Sequence, residues 1–319
     1  MELLVPAGGL EQLRYALHFG ADAVYLAGDR FGLRERAENF PGVHLASAVA
    51  LAHEAGKKVH VAANSLIHQH DLSAFREYCA MLGEIGADAA IVADLSAIAT
   101  LRDVAPTVDI HVSTQASVVN AATAKIYYEM GAKRVVLARE LSLDEIVAIR
   151  ADVPADLELE AFVHGAMCIA YSGRCLISDY LVGRDANRGN CTQPCRWGYA
   201  LHEKTREGEY FPIEQDERGS YIMNSKDLNM LAHLDDMARA GIDSIKIEGR
   251  NKKAYYVACV VNAYRNVLDG AEAQRWLSEL ETVSHRQDSR MIWSGAERRR
   301  GFWGYAPNHH DLPHKKKQP

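Results

Sequence analysis

The sequence predicts an α/β fold, a closed (β/α)8 TIM-like barrel that carries a cysteine-bearing insertion after strand seven. Short apolar, β-branched runs alternate with amphipathic helical patterns, which is typical of a parallel sheet covered by helices on both faces. Eight such runs can be recognised, and eight parallel strands are the number that closes this kind of barrel. A chain of 319 residues is long for one domain unless that domain is a barrel.

The predicted strands cover 2–7, 22–27, 57–64, 88–94, 108–114, 133–140, 157–165 and 243–250. Three of them begin with nearly the same letters, GADAVYL, GADAAIV and GAKRVVL, in which the glycine suits the end of a preceding helix. Before the seventh strand, SLDEIVAIR contains a capping box, with Ser142 as the N-cap and Glu145 three residues later. No G-x-G-x-x-G follows the first strand, which weakens a dinucleotide-binding interpretation.

About 75 residues separate the last two predicted strands, far more than a βα unit needs. We therefore predict an insertion at 166–222 within a barrel domain that spans 1–284. The insertion begins with four of the six cysteines, and its charged part, 203–222, predicts a hairpin or other excursion. The following MNSKDLNMLAHLDDMARAG predicts the start of a helix that restores the pattern, and 285–319 predicts a poorly ordered tail.

Composition and charge limit the classes of function. The net charge of −6 gives no global attraction to nucleic acid, so RNA would need a local basic face. No apolar run reaches about 18 residues, and no early run resembles a secretory leader. We expect a cytoplasmic protein without membrane contact, in which the thiols stay reduced rather than form disulfides.

Polar residues end most of the predicted strands, where barrel enzymes carry their active sites. In SIKIEGR the alternation places Lys246 and Glu248 on one side of the strand, which requires paired or ligand-bound surroundings. The alternative is that individual members are helix N-caps or ion pairs at the rim. The full set is Asn64, Asp94, Ser113, Gln115, Arg139, Glu140, His164, Lys246, Glu248 and Arg250.

Four cysteines, Cys168, Cys175, Cys191 and Cys195, lie close together in the chain. A nucleophilic cysteine paired with a base such as His164 would use one of them and leave three unexplained. Zinc usually binds two C-x₂₋₄-C pairs, and only the last two cysteines approach that spacing. The irregular spacing favours an iron–sulfur cluster, with zinc and scattered core cysteines as the alternatives. The other two cysteines, Cys79 and Cys259, fall in helical apolar patterns and are predicted core residues.

The stretch EAFVHGAMCIAYSGRCLIS, at 160–178, resembles the signature of the collagenase-like peptidase family U32. The resemblance extends over 2–286 through LVPAG, GADAVYLAG, ARELSL, NRGNCTQPCRW, MNSKDL and IKIEGR. Within the family, the chain is most similar to a subgroup that acts in tRNA hydroxylation. That similarity implies formation of 5-hydroxyuridine at the wobble position, in a prephenate-dependent and oxygen-independent pathway. It also implies a [4Fe–4S] cluster on the four clustered cysteines.

The expected partners are therefore tRNA and a prephenate-derived small molecule. An extruded base would meet His164 and Tyr171, and phosphates would meet the basic residues Lys246, Arg250, Lys252 and Lys253. The candidate catalytic residues are His164, Tyr171, Glu140, Lys246 and Glu248. The candidate substrate-binding residues are Asn64, Gln115, Arg139, Lys226 and Arg250.

Two other functions stay open at this point. The family name suggests a peptidase, although neither H-E-x-x-H nor G-x-S-x-G occurs in the sequence. A non-catalytic scaffold that carries an iron–sulfur cluster or zinc is the second alternative. Full-length members of the subgroup continue past SHR into a Gly-rich segment and a β-rich domain, whereas this chain reads SHRQDSRMIW. That departure puts substrate binding through such a domain in doubt.

Overall fold

The computed structural model describes residues 1–33, 37–166, 175–197, 200–201, 211–212, 215–216, 219–220, 227–283 and 288–289. Its central element is a closed barrel of eight parallel strands. The barrel strands are β1 (Glu2–Pro6), β2 (Ala23–Leu26), β3 (Lys58–Ala62), β4 (Ala89–Val92), β5 (Asp109–Val112), β6 (Arg134–Val136), β7 (Glu158–Ala166) and β13 (Ser244–Ile247).

Each strand from β1 to β7 pairs with the next in parallel, and β13 pairs with both β1 and β7, which closes the barrel. Each of the eight lies within one predicted run or extends it by a single residue, so the predicted barrel is confirmed. The closed order places β3 and β7 on opposite sides of the barrel, four strands apart. This relation later locates the cysteine-bearing segment.

Helices cover the outside of the barrel. They are α1 (Leu10–His18), α2 (Val43–Glu54), α3 (Leu72–Glu84), α4 (Leu95–Val104), α5 (Ala121–Glu129), α6 (Leu143–Asp152), α7 (Ile177–Val182), α8 (Leu234–Arg239), α9 (Ala254–Leu268) and α10 (Ala273–Leu280). The predicted capping box of α6 is present: Ser142 Oγ accepts from the Glu145 amide, and Glu145 Oε2 accepts from the Ser142 amide at 2.8 Å. No helix among the described residues is long and apolar enough to cross a membrane.

Between β7 and β13 the chain forms short strands: β8 (Ala200–Leu201), β9 (Phe211–Pro212), β10 (Gln215–Asp216), β11 (Gly219–Ser220) and β12 (Asp227–Asn229). The β10 and β11 strands pair antiparallel, as expected of a hairpin in that stretch. A final strand, β14 (Asp288–Ser289), pairs with β12 and brings the start of the predicted tail into the sheet. The remaining tail residues, 285–287 and 290–319, lie outside the described residues.

One prediction for the end of the insertion needs correction. The described part of the stretch predicted to start a helix opens with β12, which pairs antiparallel with the last residues of β7. The β7 strand is nine residues long, and its end extends beyond the parallel pairing with β13. A buried backbone needs hydrogen-bond partners there, and β12 supplies them. The helix α8 follows only after a turn of 3₁₀ helix at Leu231–His233.

The apolar core lies between the barrel and its helices. Its largest fully buried side chains include Leu13, Phe75, Leu101 and Tyr264. Cys79 is fully buried in this layer and Cys259 is half-buried against it, which confirms their prediction as core residues. The inside of the barrel is different: its small apolar cluster consists of Leu4, Ala23, Tyr25 and Ile91, and charged side chains occupy the space beside it.

Candidate active site in the barrel lumen and at its mouth

A buried ion pair between neighbouring strands lies in the barrel lumen. Lys246 Nζ donates to Glu160 Oε1 at 2.8 Å, and Arg134 lies 3.0 Å from Glu160 Oε2. Burial raises the pKa of Glu160, but the charges of Lys246 and Arg134 outweigh this and lower it below the usual value. Burial lowers the pKa of Lys246, and the Glu160 carboxylate opposes that shift. The lumen therefore contains a charged carboxylate that is fully enclosed by protein.

The amino-terminal end of the lumen contains a larger charge network. Arg134 bonds to Glu2 at 2.6 Å and to Glu158 at 2.7 Å, in addition to Glu160. Contacts between strands that are not neighbours in the sheet, such as Arg134 with Glu2, require that these side chains point into the barrel. Here the network adjoins two histidines, His60 and His111, whose rings meet edge to face at 4.6 Å.

Aromatic rings separate this network from the mouth. Lys246 Nζ lies 4.4 Å from the ring centre of Tyr25 and 5.4 Å from that of Phe162. On the mouth side, the Arg139 guanidinium stacks over Phe162 at 4.0 Å and bonds to Glu248 at 3.3 Å. Cations over aromatic faces are stabilised by the ring quadrupole. The sequence placed Lys246 and Glu248 on one side of the eighth barrel strand, which is β13 in the structure. Both charges are paired, Lys246 with Glu160 and Glu248 with Arg139.

The mouth brings together several of the other predicted residues. Asn64 Nδ2 donates to Ser113 Oγ at 3.2 Å, while its Oδ1 accepts from the Leu33 amide at 3.3 Å. Asn64 thereby ties the end of β3 to the loops after β2 and β5. The backbone amide of Gln115 also donates to Ser113 Oγ. Asp94, by contrast, caps α4 by accepting from the Ser96 amide, which is the N-cap role weighed above.

Arg250 lies at the mouth with only 5% of its surface exposed. Its backbone carbonyl packs against Gly8, where a Cβ atom would come within 1.9 Å of the carbonyl oxygen. A glycine is therefore required at position 8 for the loops after β1 and β13 to meet. The Arg250 guanidinium lies near Gly32, beside the end of β3. Half-buried Glu140 directly follows Arg139 in the chain.

His164 points away from the lumen. A register shift in the pairing of β7 with β13 adds one residue, Val163, between Phe162 and His164. After such a bulge, side chains change faces. The His164 ring lies against α9, with Nδ1 at 3.3 Å from the Tyr264 hydroxyl and the ring centre 6.0 Å from that of Tyr256. The structure thus separates His164 from Lys246 and Glu248, with which the sequence had grouped it.

The segment with the cysteines reaches the far side of the mouth. It follows β7 in the chain, yet the Leu66 amide in the loop after β3 donates to the Asn187 carbonyl at 3.3 Å. An ion pair of 3.0 Å between Arg188 and Asp71 joins the same two parts. Because β3 and β7 are opposite in the barrel, the segment extends from one side of the mouth to the other.

Three of the four predicted metal ligands are described, and the side chains of Cys175, Cys191 and Cys195 are half-buried. The backbone amide of Gln193 donates to Cys191 Sγ at 3.3 Å, and Asn187 Nδ2 donates to the backbone carbonyl of Cys175 at 3.1 Å. Cys168, Tyr171 and Lys226 lie outside the described residues.

Sequence reasoning did not identify four members of the lumen network as site residues: His60, His111, Arg134 and Glu160. The signal was present, because KVHVA, DIHV, RVV and ELEAF place polar side chains inside otherwise apolar strands. Such positions in a barrel strand face the lumen when their neighbours face the helices. Attention to strand ends alone overlooks them.

Together the closed barrel, its charged lumen and the cysteine-bearing segment at its mouth define a (β/α)8 protein with an enzyme-like site at the carboxyl ends of its strands. The model of peptidase family U32 matches residues 8–308. The chain belongs to this family.

Curated relatives narrow the comparison. The chain is 42% identical to the tRNA hydroxylation protein P1 of Bacillus subtilis, over 92% of this chain and 71% of the relative. It is 41% identical to the tRNA hydroxylation protein P of Escherichia coli, over 89% of this chain and 72% of the relative. A 23S rRNA 5-hydroxycytidine synthase of Escherichia coli is 38% identical over 86% of this chain, but only 40% of that relative is covered.

Proposed function

We propose that the protein is an RNA-modifying enzyme that hydroxylates the wobble uridine of tRNA to 5-hydroxyuridine. The observation that carries the proposal is about 40% identity to tRNA hydroxylation proteins over nine-tenths of this chain. The rRNA relative is named for a hydroxyl group at the same ring position of another pyrimidine. An enclosed, charged lumen below a polar mouth is a suitable place for chemistry on an extruded base.

The cofactor in this proposal is a [4Fe–4S] cluster held by Cys168, Cys175, Cys191 and Cys195, with zinc as the alternative. The donor set fits, since three of these thiols lie half-buried in one segment. The amide that donates to Cys191 Sγ is the type of hydrogen bond that tunes cluster sulfurs. When bound, such a cluster supplies one-electron transfer.

The charged residues of the mouth would bind the substrates. Arg139 is held by Phe162 and Glu248, and its buried Nε has no hydrogen-bond partner among the described residues. That N–H is oriented by the stacked ring and suits a carboxylate, such as that of a prephenate-derived molecule. Outside the lumen, exposed Lys253 and half-buried Lys252 follow Arg250 at the start of α9 and suit phosphate contacts.

A peptidase is the second candidate, favoured by the family name and by a relative from Methanocaldococcus jannaschii. That relative, an uncharacterized protease, is 39% identical over 88% of this chain and 68% of its own length. A scaffold that only binds tRNA or a protein subunit is the third. If the protein is a peptidase, the purified protein should cleave peptides, and this cleavage should not require any one of the four cysteines.

Mass spectrometry of tRNA nucleosides tests the proposal. A strain that lacks this gene and its paralogues should lose 5-hydroxyuridine derivatives, and the wild-type gene should restore them. Cys191→Ser should fail to restore them, whereas Cys259→Ser, in the apolar layer, serves as the matched control and should succeed. Unchanged 5-hydroxyuridine in the deletion strain would exclude the proposed activity.

An assay of iron and acid-labile sulfide after anaerobic purification tests the cofactor separately. Iron and sulfide in the ratio of a [4Fe–4S] cluster are expected. A colourless protein with stoichiometric zinc would contradict the iron–sulfur cluster and support zinc as the bound metal.

A further inference from the structure

We propose that His60, His111 and Glu160 form a binding site for a divalent transition-metal ion, Zn²⁺ above all, inside the barrel and separate from the cysteines. One donor atom from each of the three side chains lies within 4.8 Å of the other two. All three side chains are buried, with at most 3% of the surface exposed. They come from β3, β5 and β7, and alternate strands of such a barrel contribute to one layer of the lumen.

Both histidines have a ring nitrogen without a partner. The Nδ1 atoms of His60 and His111 are buried and make no hydrogen bond to any described residue. A buried polar atom without a partner is costly, so the site calls for a ligand. Burial also lowers the pKa of both rings, that of His60 to about 4, and a neutral imidazole is the form that binds metals.

A cavity of about 300 Å³ adjoins these residues at the amino-terminal end of the barrel. His60, His111, Arg134 and Glu158 line it, together with residues at the starts of β3 and β5. Two histidines and one glutamate, with water as the fourth ligand, are an established coordination set for zinc. The cavity supplies both the place for that water and a route by which the ion enters.

The charges around Glu160 are compatible with a dication. Lys246 and Arg134 oppose it, but Glu2, Glu158 and Glu160 provide three carboxylates against these two cations. Each carboxylate oxygen of Glu160 can accept two interactions, so its hydrogen bonds to Lys246 and Arg134 leave lone pairs for a metal. Metal-binding carboxylates are commonly held by such outer hydrogen bonds. This inference does not depend on the proposed RNA hydroxylation.

Zinc loading of the wild-type chain tests the site directly. Accessible thiols are first blocked with iodoacetamide. One equivalent of Zn²⁺ is then added, and the protein is dialysed to remove unbound zinc. We expect retained zinc whose X-ray absorption fine structure shows nitrogen and oxygen at about 2.0–2.1 Å and no sulfur at about 2.3 Å. Failure to retain zinc, or a sulfur shell, would overturn the proposal.

Two variants locate the zinc. His111→Gln should lower Zn²⁺ affinity at least about tenfold in a chelator competition, because it removes one of three ligands. His53→Gln is the matched control: His53 lies on the surface, bonded to Asp88, and its replacement should leave the affinity unchanged. Equal affinity in both variants would place the zinc elsewhere. Circular dichroism checks that each variant is folded, and the wild-type measurement stands without them.

Discussion

The barrel has two interiors that are built from different side chains. The outer interior, between strands and helices, is packed from Leu, Val, Ile, Ala and a few aromatic residues. The inner interior, the lumen, combines a small apolar cluster with His60, His111, Arg134, Glu160 and Lys246. In most barrels of this class the lumen is filled by branched apolar side chains. This protein therefore maintains charges where apolar packing is the usual solution.

The contrast separates stability from chemistry. Burial of apolar surface stabilises the outer interior without regard to pH or partner. A buried ion pair gains little over apolar packing, because the loss of hydration offsets the attraction between the charges. The charged lumen is therefore better explained by binding or catalysis than by folding, and it connects the amino-terminal cavity with Arg139 and Glu248 at the mouth.

The largest effect on the charged lumen is expected from Glu160→Gln. The variant keeps the shape of the side chain but leaves Lys246 without its carboxylate inside the lumen. Removal of one partner of a buried pair costs about 3 to 5 kcal/mol, so we expect a loss of that size in the free energy of unfolding. Urea denaturation at neutral pH measures it.

The double variant Glu160→Gln with Lys246→Met is the control. If the loss arises from an unpaired charge, replacing the lysine by an apolar side chain should recover more than half of it. Equal losses in the single and double variants would show instead that the lumen depends on the shape of these side chains, as the outer interior does.

How much of this architecture is predictable from sequence differs between the two interiors. The outer interior follows from local periodicity, which is why all eight strands and α6 with its Ser142 cap agree with prediction. The pairing of Lys246 with Glu160 depends on closure of the barrel, which brings together residues 86 positions apart. The orientation of His164 depends on a bulge at Val163 that the letters EAFVHG do not reveal.

The outer interior has its own test, Leu101→Ala. Leu101 lies on α4 and is fully buried. We expect a loss of about 2 to 5 kcal/mol in the free energy of unfolding, from lost transfer free energy and the cavity left behind. The loss should be equal at neutral and mildly acidic pH, since no titratable group is removed. A loss that changes with pH would contradict the separation of the two interiors.

The smallest expected effect concerns Glu2 in the lumen network and appears only at acidic pH. Glu2 accepts from Arg134 at 2.6 Å and from Ser244 at 2.8 Å. Burial raises the pKa of Glu2, but these contacts outweigh it and lower the pKa from 4.5 to about 2. The unfolded chain therefore takes up the proton first, and the stabilisation by Glu2 is complete above about pH 4.5 and lost as the pH falls towards 2. Between about pH 5 and about pH 3.5, the wild type should lose about 1 kcal/mol more than Glu2→Gln in urea denaturation. Equal losses would mean that Arg134 does not hold this carboxylate in the folded protein.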